Sequence, residues 1–467
     1  MNVFDDIKAA VGPRGWSDDP ARLATHLTDW RGGKTGVAAL MLMPDSTAAL
    51  AAVVRIAAVH RVALVPQGGN TSLCGASVPE ADGGAVLVSM ARMNRIRALS
   101  VEEDSLVAEA GVVLQTVHEA ADAAGRMFPL SLGAKGSATV GGLISTNAGG
   151  VQVLRYGTMR ALVLGLEAVL PDGSVLDQLS ALRKDNTGYD IKQLLIGAEG
   201  TLGFVTAAAL KLVPKPATVA TAFVGLRSPE AALALLGRLR AASGDRLDSF
   251  ELMPRVGLEL SLAHIPGTRD PLGTPHDWYV LAEATSARAN DPLDAALTEA
   301  LGEAAEAGEI DDAVVAASDA QRAALWVLRE ELPEAERLDG GSIKHDVSVP
   351  VAKMPAFMAE ATAMVEASWP GVRVLAFGHL GDGNVHFNAR PPAGVAYEDF
   401  RKHGAAITGR VNDMTVAHGG SISAEHGIGT LKRAELQRLG DPAKLTAMRA
   451  VKAALDPFGI MNPGKVL

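Results

Sequence analysis

Apolar and polar positions follow one rhythm up to about residue 213 of this chain and another beyond it. In MPDSTAALAAVVRIAAVH the apolar residues recur at helical spacing behind Asp45, Ser46 and Thr47, which supply a cap. RVALVPQGGNTSL reads as a buried strand running into a glycine loop, and GGAVLVSM as a second strand. SLVAEAGVVL and TVHEAADAAG predict a strand and then a helix that closes near Arg126. LVLGLEAVLPDGSVL predicts a hairpin turning at Pro171-Asp172-Gly173. After VPKP (213–216), strand-like TVATAFVGL and YVLAEAT alternate with the alanine-rich helices SPEAALALLGRLRAASG and DPLDAALTEALGEAAEAG. Strands are expected again at SIKHDVSVP and VRVLAFGH, and helices over 351–367 and 396–418. SISAEHGIG and the tail DPFGIMNPGKVL return to the glycine-rich texture of the first region. The pattern divides the chain into a ligand domain (1–213), an inserted domain (214–418) and a segment returning to the first (419–467).

Composition narrows the classes. A chain of 467 residues exceeds one ordinary core, so two domains are expected. The net charge of −10 and the lack of a basic run exclude nucleic acid as the expected partner, because that binding needs lysine and arginine patches. Cys74 is the one cysteine, which excludes an intrachain disulfide and a thiolate metal site. The first residues carry no basic-then-apolar leader, and no uncharged apolar run reaches the ~20 residues of a membrane span. A soluble cytoplasmic protein is expected.

The 49 glycines cluster. PQGGN (66–70), GSATVGGLISTNAGG (136–150) and IGAEGTLG (196–203) are loops in which backbone N–H groups can approach an anion, and a diphosphate is the natural occupant. PQGGN alone is equally well a plain turn; the three loops together point to a nucleotide-type cofactor. No G-x-G-x-x-G opens a helix in a short strand–helix–strand unit, so the ordinary dinucleotide fingerprint is absent. The GKT at 33–35 is no P-loop, because its first glycine would fall on Thr28.

FGHLGDGNVHFN (377–388) carries the chemistry most open to derivation. With Asp382-Gly383 as a two-residue turn, opposed positions sum to 765 and His379 faces His386 across the hairpin, with Asn388 on the same side as His386. Glu425 of SAEHG offers a third ligand, and two histidines with one carboxylate leave a metal with open positions. A cross-strand histidine pair holding no metal is the alternative at this point.

PQGGNTSL, PLSLGAKGSATVGGLISTNAGGVQVLRYGTMRALVLGLEAVLPDGSVL, KDNTGYDIKQLLIGAEGTLG and the HxGDGNxHxN and EHG segments closely resemble the vanillyl-alcohol-oxidase-like flavoproteins, in their D-2-hydroxyglutarate and D-lactate dehydrogenase branch. The resemblance runs from about residue 35 to the C-terminus. It implies an α+β fold in which a two-part FAD-binding domain of the PCMH type carries an inserted ferredoxin-like α/β substrate domain. It also implies non-covalent FAD lined by Pro66, Gln67, Gly68, Gly69, Asn70, Thr71, Ser137, Thr139, Gly141, Gly142, Ser145, Asn147, Gly149, Glu199, Gly200, Val205 and Asn462. A divalent metal, zinc first on ligand type, is implied on His379, His386 and Glu425. His426 is the candidate base, since a neutral imidazole suits the operating pH, with a structural histidine as the alternative; Arg329, Lys344 and Asn388 are the implied substrate contacts.

The implied reaction is oxidation of a small D-2-hydroxy acid, with electrons passing to a flavoprotein or quinone, and the implied assembly is a homodimer. One position departs from the family pattern. Where the family's helix has a threonine four residues after the arginine, this chain has Pro333, which removes a hydroxyl and ends or kinks the helix. D-malate and D-lactate thereby become alternatives to D-2-hydroxyglutarate, and Arg390 a candidate compensating cation. A D-lactate or glycolate dehydrogenase of the same fold is the neighbouring reading. A zinc hydrolase with purely structural glycine loops, or a non-catalytic flavin sensor, is the reading from another class.

Overall fold

A computed structural model describes residues 3–467 and divides them into two compact units. The first takes the described residues up to Gly150, then Gly157–Lys215 and Glu425–Leu467; the second takes Val151–Tyr156 and Pro216–Ala424.

The first unit holds a four-stranded sheet in the order Trp16–Ser17, Met41–Leu42, Ala85–Ser89, Ala63–Gln67, its last three strands parallel. Met41, Val65, Ala85 and Leu87 bury their side chains in one apolar cluster with Leu23 and Met43. The helix Thr47–His60 starts where its pattern predicts: Ser46 accepts a hydrogen bond from the Ala49 N–H, and Arg61 closes the far end in the left-handed conformation. A second, antiparallel sheet runs Ile96–Ser100, Ser105–Glu109, Phe204–Lys211, Val163–Val169, Val175–Gln178. Its last pair is the expected hairpin, with the Gly173 N–H donating to the Leu170 carbonyl at 2.8 Å. The C-terminal tail returns to the first sheet. Leu64 and Asn462 donate to the carbonyls of Ile460 and Leu64, both at 2.8 Å, which pairs the outer edge of Ala63–Gln67.

The second unit is built on one seven-stranded antiparallel sheet in the order Asp312–Val315, Thr218–Leu226, Trp278–Ser286, Leu247–Pro254, Arg373–His379, Asn384–Arg390, Ile343–Ser348. Alternation along the strands sorts side chains onto two faces. Phe250, Leu252, Ala376, Val385 and Phe387 pack on one face with residues of the helices Pro229–Ala242, Leu293–Glu306, Met354–Ser368 and Gly404–Ala417. Met253, Leu375 and Phe377 occupy the other face under Leu258, Leu325, Leu328, Leu332 and Ala335. Those covering residues come from Arg255–His264, Asp319–Glu330 and Leu332–Leu338. Pro333 breaks the covering helix as expected, because it cannot donate to the preceding turn. One helix ends at Glu330 and the next begins at Leu332 with Pro333 in its first turn. Among the described residues, no helix is long and apolar enough to cross a membrane.

Candidate active site

The glycine loops meet inside the first unit. A Cβ at Gly69 would run into the Ser137 carbonyl, and one at Gly68 into the Thr139 hydroxyl. These two glycines are therefore required by loop-on-loop packing, beyond any approach to a ligand. Gly68, Gly69, Ser137 and Thr139 line a cavity of about 320 Å3 together with Asn94, Gly111, Val112 and Thr116. Thr139 is buried, and its hydroxyl has no hydrogen-bond partner. An unmade buried hydrogen bond costs about 1–3 kcal/mol, so a donor-acceptor in the cavity is the arrangement this threonine fits.

The other implied FAD residues divide by what their side chains do. Gln67, at the end of its strand, gives its amide N–H groups to the carbonyls of His26 and Ser77, both at 2.9 Å. Asn70 bonds the Thr28 carbonyl and the Ser77 hydroxyl. Asn147 ends the helix Val140–Thr146, which carries Gly141, Gly142 and Ser145, and accepts from the Arg160 N–H at 2.9 Å. Gly200 has a left-handed backbone pressed against Pro66. Val205 lies buried in the strand Phe204–Lys211. Thr71 is half-buried in the loop after Asn70, while Gly149 is buried.

Glu199 is 5 % exposed, and its carboxylate accepts from the N–H groups of Ile428 and Gly429 at 2.7 and 2.8 Å. Burial pushes its pKa up against those two hydrogen bonds. Gly427 and Gly429 make this approach possible: both have positive φ, and a Cβ on either would strike Glu199 or the Cys74 carbonyl. The loop that carries Glu425 and His426 is thus anchored by Glu199. Asn462 donates to the carbonyls of Ala76 and Glu199 at 3.0 and 2.7 Å, leaving its buried Oδ1 without a partner. These contacts fit a site for a large polar cofactor walled by fixed loops.

In the second unit the hairpin brings the two histidines together by another register than the sequence suggested. The pairs are His379 with Asn384 and Phe377 with His386, so opposed positions sum to 763 and four residues, Leu380–Gly383, make the turn. The His379 carbonyl accepts from the N–H groups of Asp382 and Gly383, which uses two more residues in the turn than Asp382-Gly383 alone would. His379 and His386 are therefore diagonal neighbours on one face instead of a direct pair. Their ring centroids lie 5.4 Å apart at 77°.

Glu251, opposite His379 on the neighbouring strand, was not foreseen. It is fully buried, with Oε1 2.6 Å from His379 Nδ1 and Oε2 accepting from Arg329 Nε at 2.9 Å. Burial opposes its charge, but His379 and Arg329 outweigh burial and hold its pKa below the ordinary carboxylate value. With a proton on Nδ1, the lone pair of His379 resides on Nε2, the arrangement a metal-ligating histidine needs. Arg329 also stacks over Phe377, its Cζ 4.8 Å from the ring centre.

Asp346 stands opposite His386 on the other side and accepts from Asn384 Nδ2 at 3.0 Å. Ala424, the residue before Glu425, donates its N–H to the Asp346 carbonyl. Asn388 is opposed to Lys344 on the neighbouring strand. Both donate to Glu336, a second buried acid that the sequence reading missed, Lys344 at 2.8 Å and Asn388 at 2.9 Å. Arg390 ends its strand buried and paired with Asp339, its Nε without a partner.

Two family descriptions match the chain: "FAD binding domain" over residues 38–178 and "FAD linked oxidases, C-terminal domain" over residues 215–466. The chain belongs to the FAD-linked oxidase family. Within it, the chain is 39% identical to the mitochondrial D-2-hydroxyglutarate dehydrogenase of Arabidopsis thaliana over 464 residues, covering 99% of this chain and 80% of that protein. It is 37% identical to the D-2-hydroxyglutarate dehydrogenase of Xanthomonas citri pv. viticola, covering 98% and 96% of the two chains. It is 34% identical to a D-2-hydroxyglutarate–pyruvate transhydrogenase of Saccharomyces cerevisiae, covering 97% and 91%. The solved structure of p-cresol methylhydroxylase shares the family fold, with a TM-score of 0.77 at 16% identity over 99% of this chain and 96% of that one.

Proposed function

We propose that this FAD-linked oxidase family member is a dehydrogenase that oxidises small D-2-hydroxy acids, D-2-hydroxyglutarate among them, to the 2-oxo acids. The observation that carries this reading is the His379–His386 pair, with Glu251 fixing the His379 tautomer, in a chain that has an FAD-binding domain. The names of its relatives support the substrate class.

His379 and His386, with Glu425 as the third donor that the sequence pattern offers, would hold a divalent ion, zinc by donor type. When bound, the ion supplies a positive charge for the substrate's hydroxyl and carboxylate, and the flavin supplies the hydride acceptor. His426 takes the hydroxyl proton. Lys344, Asn388 and the outer N–H groups of Arg329 orient carboxylate oxygens. Thr139, Asn462 and the loops at 66–71 and 136–150 hold FAD without a covalent bond. A flavoprotein or quinone takes the electrons, and the enzyme works as a cytoplasmic homodimer.

The test is anaerobic bleaching of the flavin by D-2-hydroxyglutarate, D-malate and D-lactate and by their L forms, repeated after chelation. Bleaching by D acids alone, lost on chelation and restored by zinc, is the expected result. Equal rates with L acids contradict the site, and full activity in metal-free protein removes the ion from it. A zinc hydrolase would be colourless; the FAD-binding domain favours the flavin reading over it.

A further inference from the structure

The chain sets a carboxylate of its own on Lys344 and Asn388, two of the proposed carboxylate contacts. Glu336 is fully buried, and a single oxygen of it, Oε2, receives both Lys344 Nζ and Asn388 Nδ2. Its other oxygen, Oε1, is buried with no partner. The helix break explains how an acid comes to be there. Because the chain restarts at Leu332 with Pro333 in the first turn, the new helix turns Leu332, Ala335 and Glu336 inward. Pro333 therefore accompanies a buried charge at Glu336.

We infer that Glu336 is a specificity-determining residue that selects D-2-hydroxy acids with an uncharged far end over diacids. The inference rests on the hydroxy-acid reading and deepens it. Lys344 is the cation a second carboxylate would seek, and Glu336 already neutralises it. A diacid must displace Glu336 from Lys344 and Asn388 together, or set a second negative charge beside it in a buried place. Arg390 offers no substitute, since Asp339 holds it in the same way. A monocarboxylate with a methyl or ethyl end meets neither obstacle. Rejection of this kind arises when a buried charged group is left badly paired in the complex.

The experiment uses the flavin-loaded chain and compares kcat/KM for D-lactate, D-2-hydroxybutyrate and D-2-hydroxyglutarate in the wild type, Glu336→Gln and Glu336→Asp. Calorimetric binding of pyruvate and 2-oxoglutarate runs alongside. Wild type is expected to favour the monoacids. Glu336→Gln is expected to raise the ratio of D-2-hydroxyglutarate to D-lactate by roughly tenfold or more, chiefly through KM, and to tighten 2-oxoglutarate with pyruvate unchanged. Adding Lys344→Met to Glu336→Gln should erase that gain. Should the glutamine variant fail to retain flavin, Glu336→Asp, which draws the carboxylate back by one methylene, should give a smaller gain of the same sign.

An unchanged ratio in folded variants, or a wild type that already prefers the diacid, overturns the inference while leaving the hydroxy-acid reading intact. Absence of bleaching by every D acid in every variant sinks that reading and this inference with it.

Discussion

Glu251 reaches His379 Nδ1 at 2.6 Å from the adjacent strand and uses its second oxygen to hold Arg329 at 2.9 Å. One buried acid thus fixes both the tautomer of a proposed ligand and the position of a proposed substrate cation. Replacing it by the isosteric Glu251→Gln keeps the shape but removes the charge. Zinc affinity, measured by competition with a chromophoric chelator, should fall by about 10–100-fold. Arg329 would lose its buried counter-charge, which costs on the order of 3–5 kcal/mol and should show as a lower Tm. Unaltered zinc affinity in a folded variant would contradict the orienting role.

Thr139 makes the opposite kind of test, since its buried hydroxyl lacks a partner in the protein. Thr139→Val keeps the shape and removes an unsatisfied group, so the flavin-free chain should be as stable as the wild type or more so. FAD binding should weaken by about 0.5–1.5 kcal/mol, the net worth of one hydrogen bond. Titration with FAD, followed by flavin fluorescence and by thermal melts with and without cofactor, separates the two effects. Equal affinity in both proteins would place Thr139 outside the cofactor site.

Much of this arrangement was legible in the sequence, for physical reasons that also mark where legibility stopped. Caps and turns are local, so Ser46 and Pro171-Asp172-Gly173 announced their elements without help from the rest of the chain. The hairpin register was not local. A left-handed Gly383 invites a two-residue turn, but the His379 carbonyl takes the N–H groups of both Asp382 and Gly383, and the turn lengthens to four residues. Glu251 was hidden because LDSFELMP forms a strand covered on both faces, and an acid within such a run looks like a surface residue until its partners are seen. Glu336 was hidden by its place in LPEAERL, where acidic neighbours read as a solvated face. Apart from Lys344, close behind Glu336, the partners of both acids lie 52 or more positions away, which no window of sequence displays.

His118 gives the chain a dependence on pH away from the proposed metal. Its Nε2 lies 2.9 Å from the Leu130 carbonyl, and burial lowers its pKa, with Lys135 adding to the effect against that hydrogen bond. The neutral ring is therefore the native form. Above the ordinary value of about 6.5 both folded and unfolded chains are neutral there, and the stabilisation is intact. As pH falls through about 6.5 the unfolded chain gains a proton first, and stability is lost until the lowered native pKa is reached. His118→Gln should remove this contribution, so the Tm difference between wild type and variant should shrink between about pH 8 and about pH 5, a range that brackets the ordinary histidine value. A constant difference across that range would remove His118 as a titrating group.

Gly383 tests whether the four-residue turn is what holds the histidines. Its φ is +84°, and a Cβ there would strike the Val349 carbonyl. Gly394 has nearly the same backbone, with φ +79°, but open space around it. Both Gly383→Ala and Gly394→Ala incur the strain of a left-handed alanine, about 1–2 kcal/mol. Gly383→Ala adds a steric collision, which the turn can relieve only by moving the backbone between His379 and Asn384. Gly394→Ala should therefore lower Tm slightly and leave zinc binding as it was. Gly383→Ala should lower Tm further and weaken zinc in the same chelator competition, with FAD content unchanged because the loops at 66–71 and 136–150 are untouched. Equal behaviour of the two alanine variants would mean that the turn is not what sets the spacing of His379 and His386.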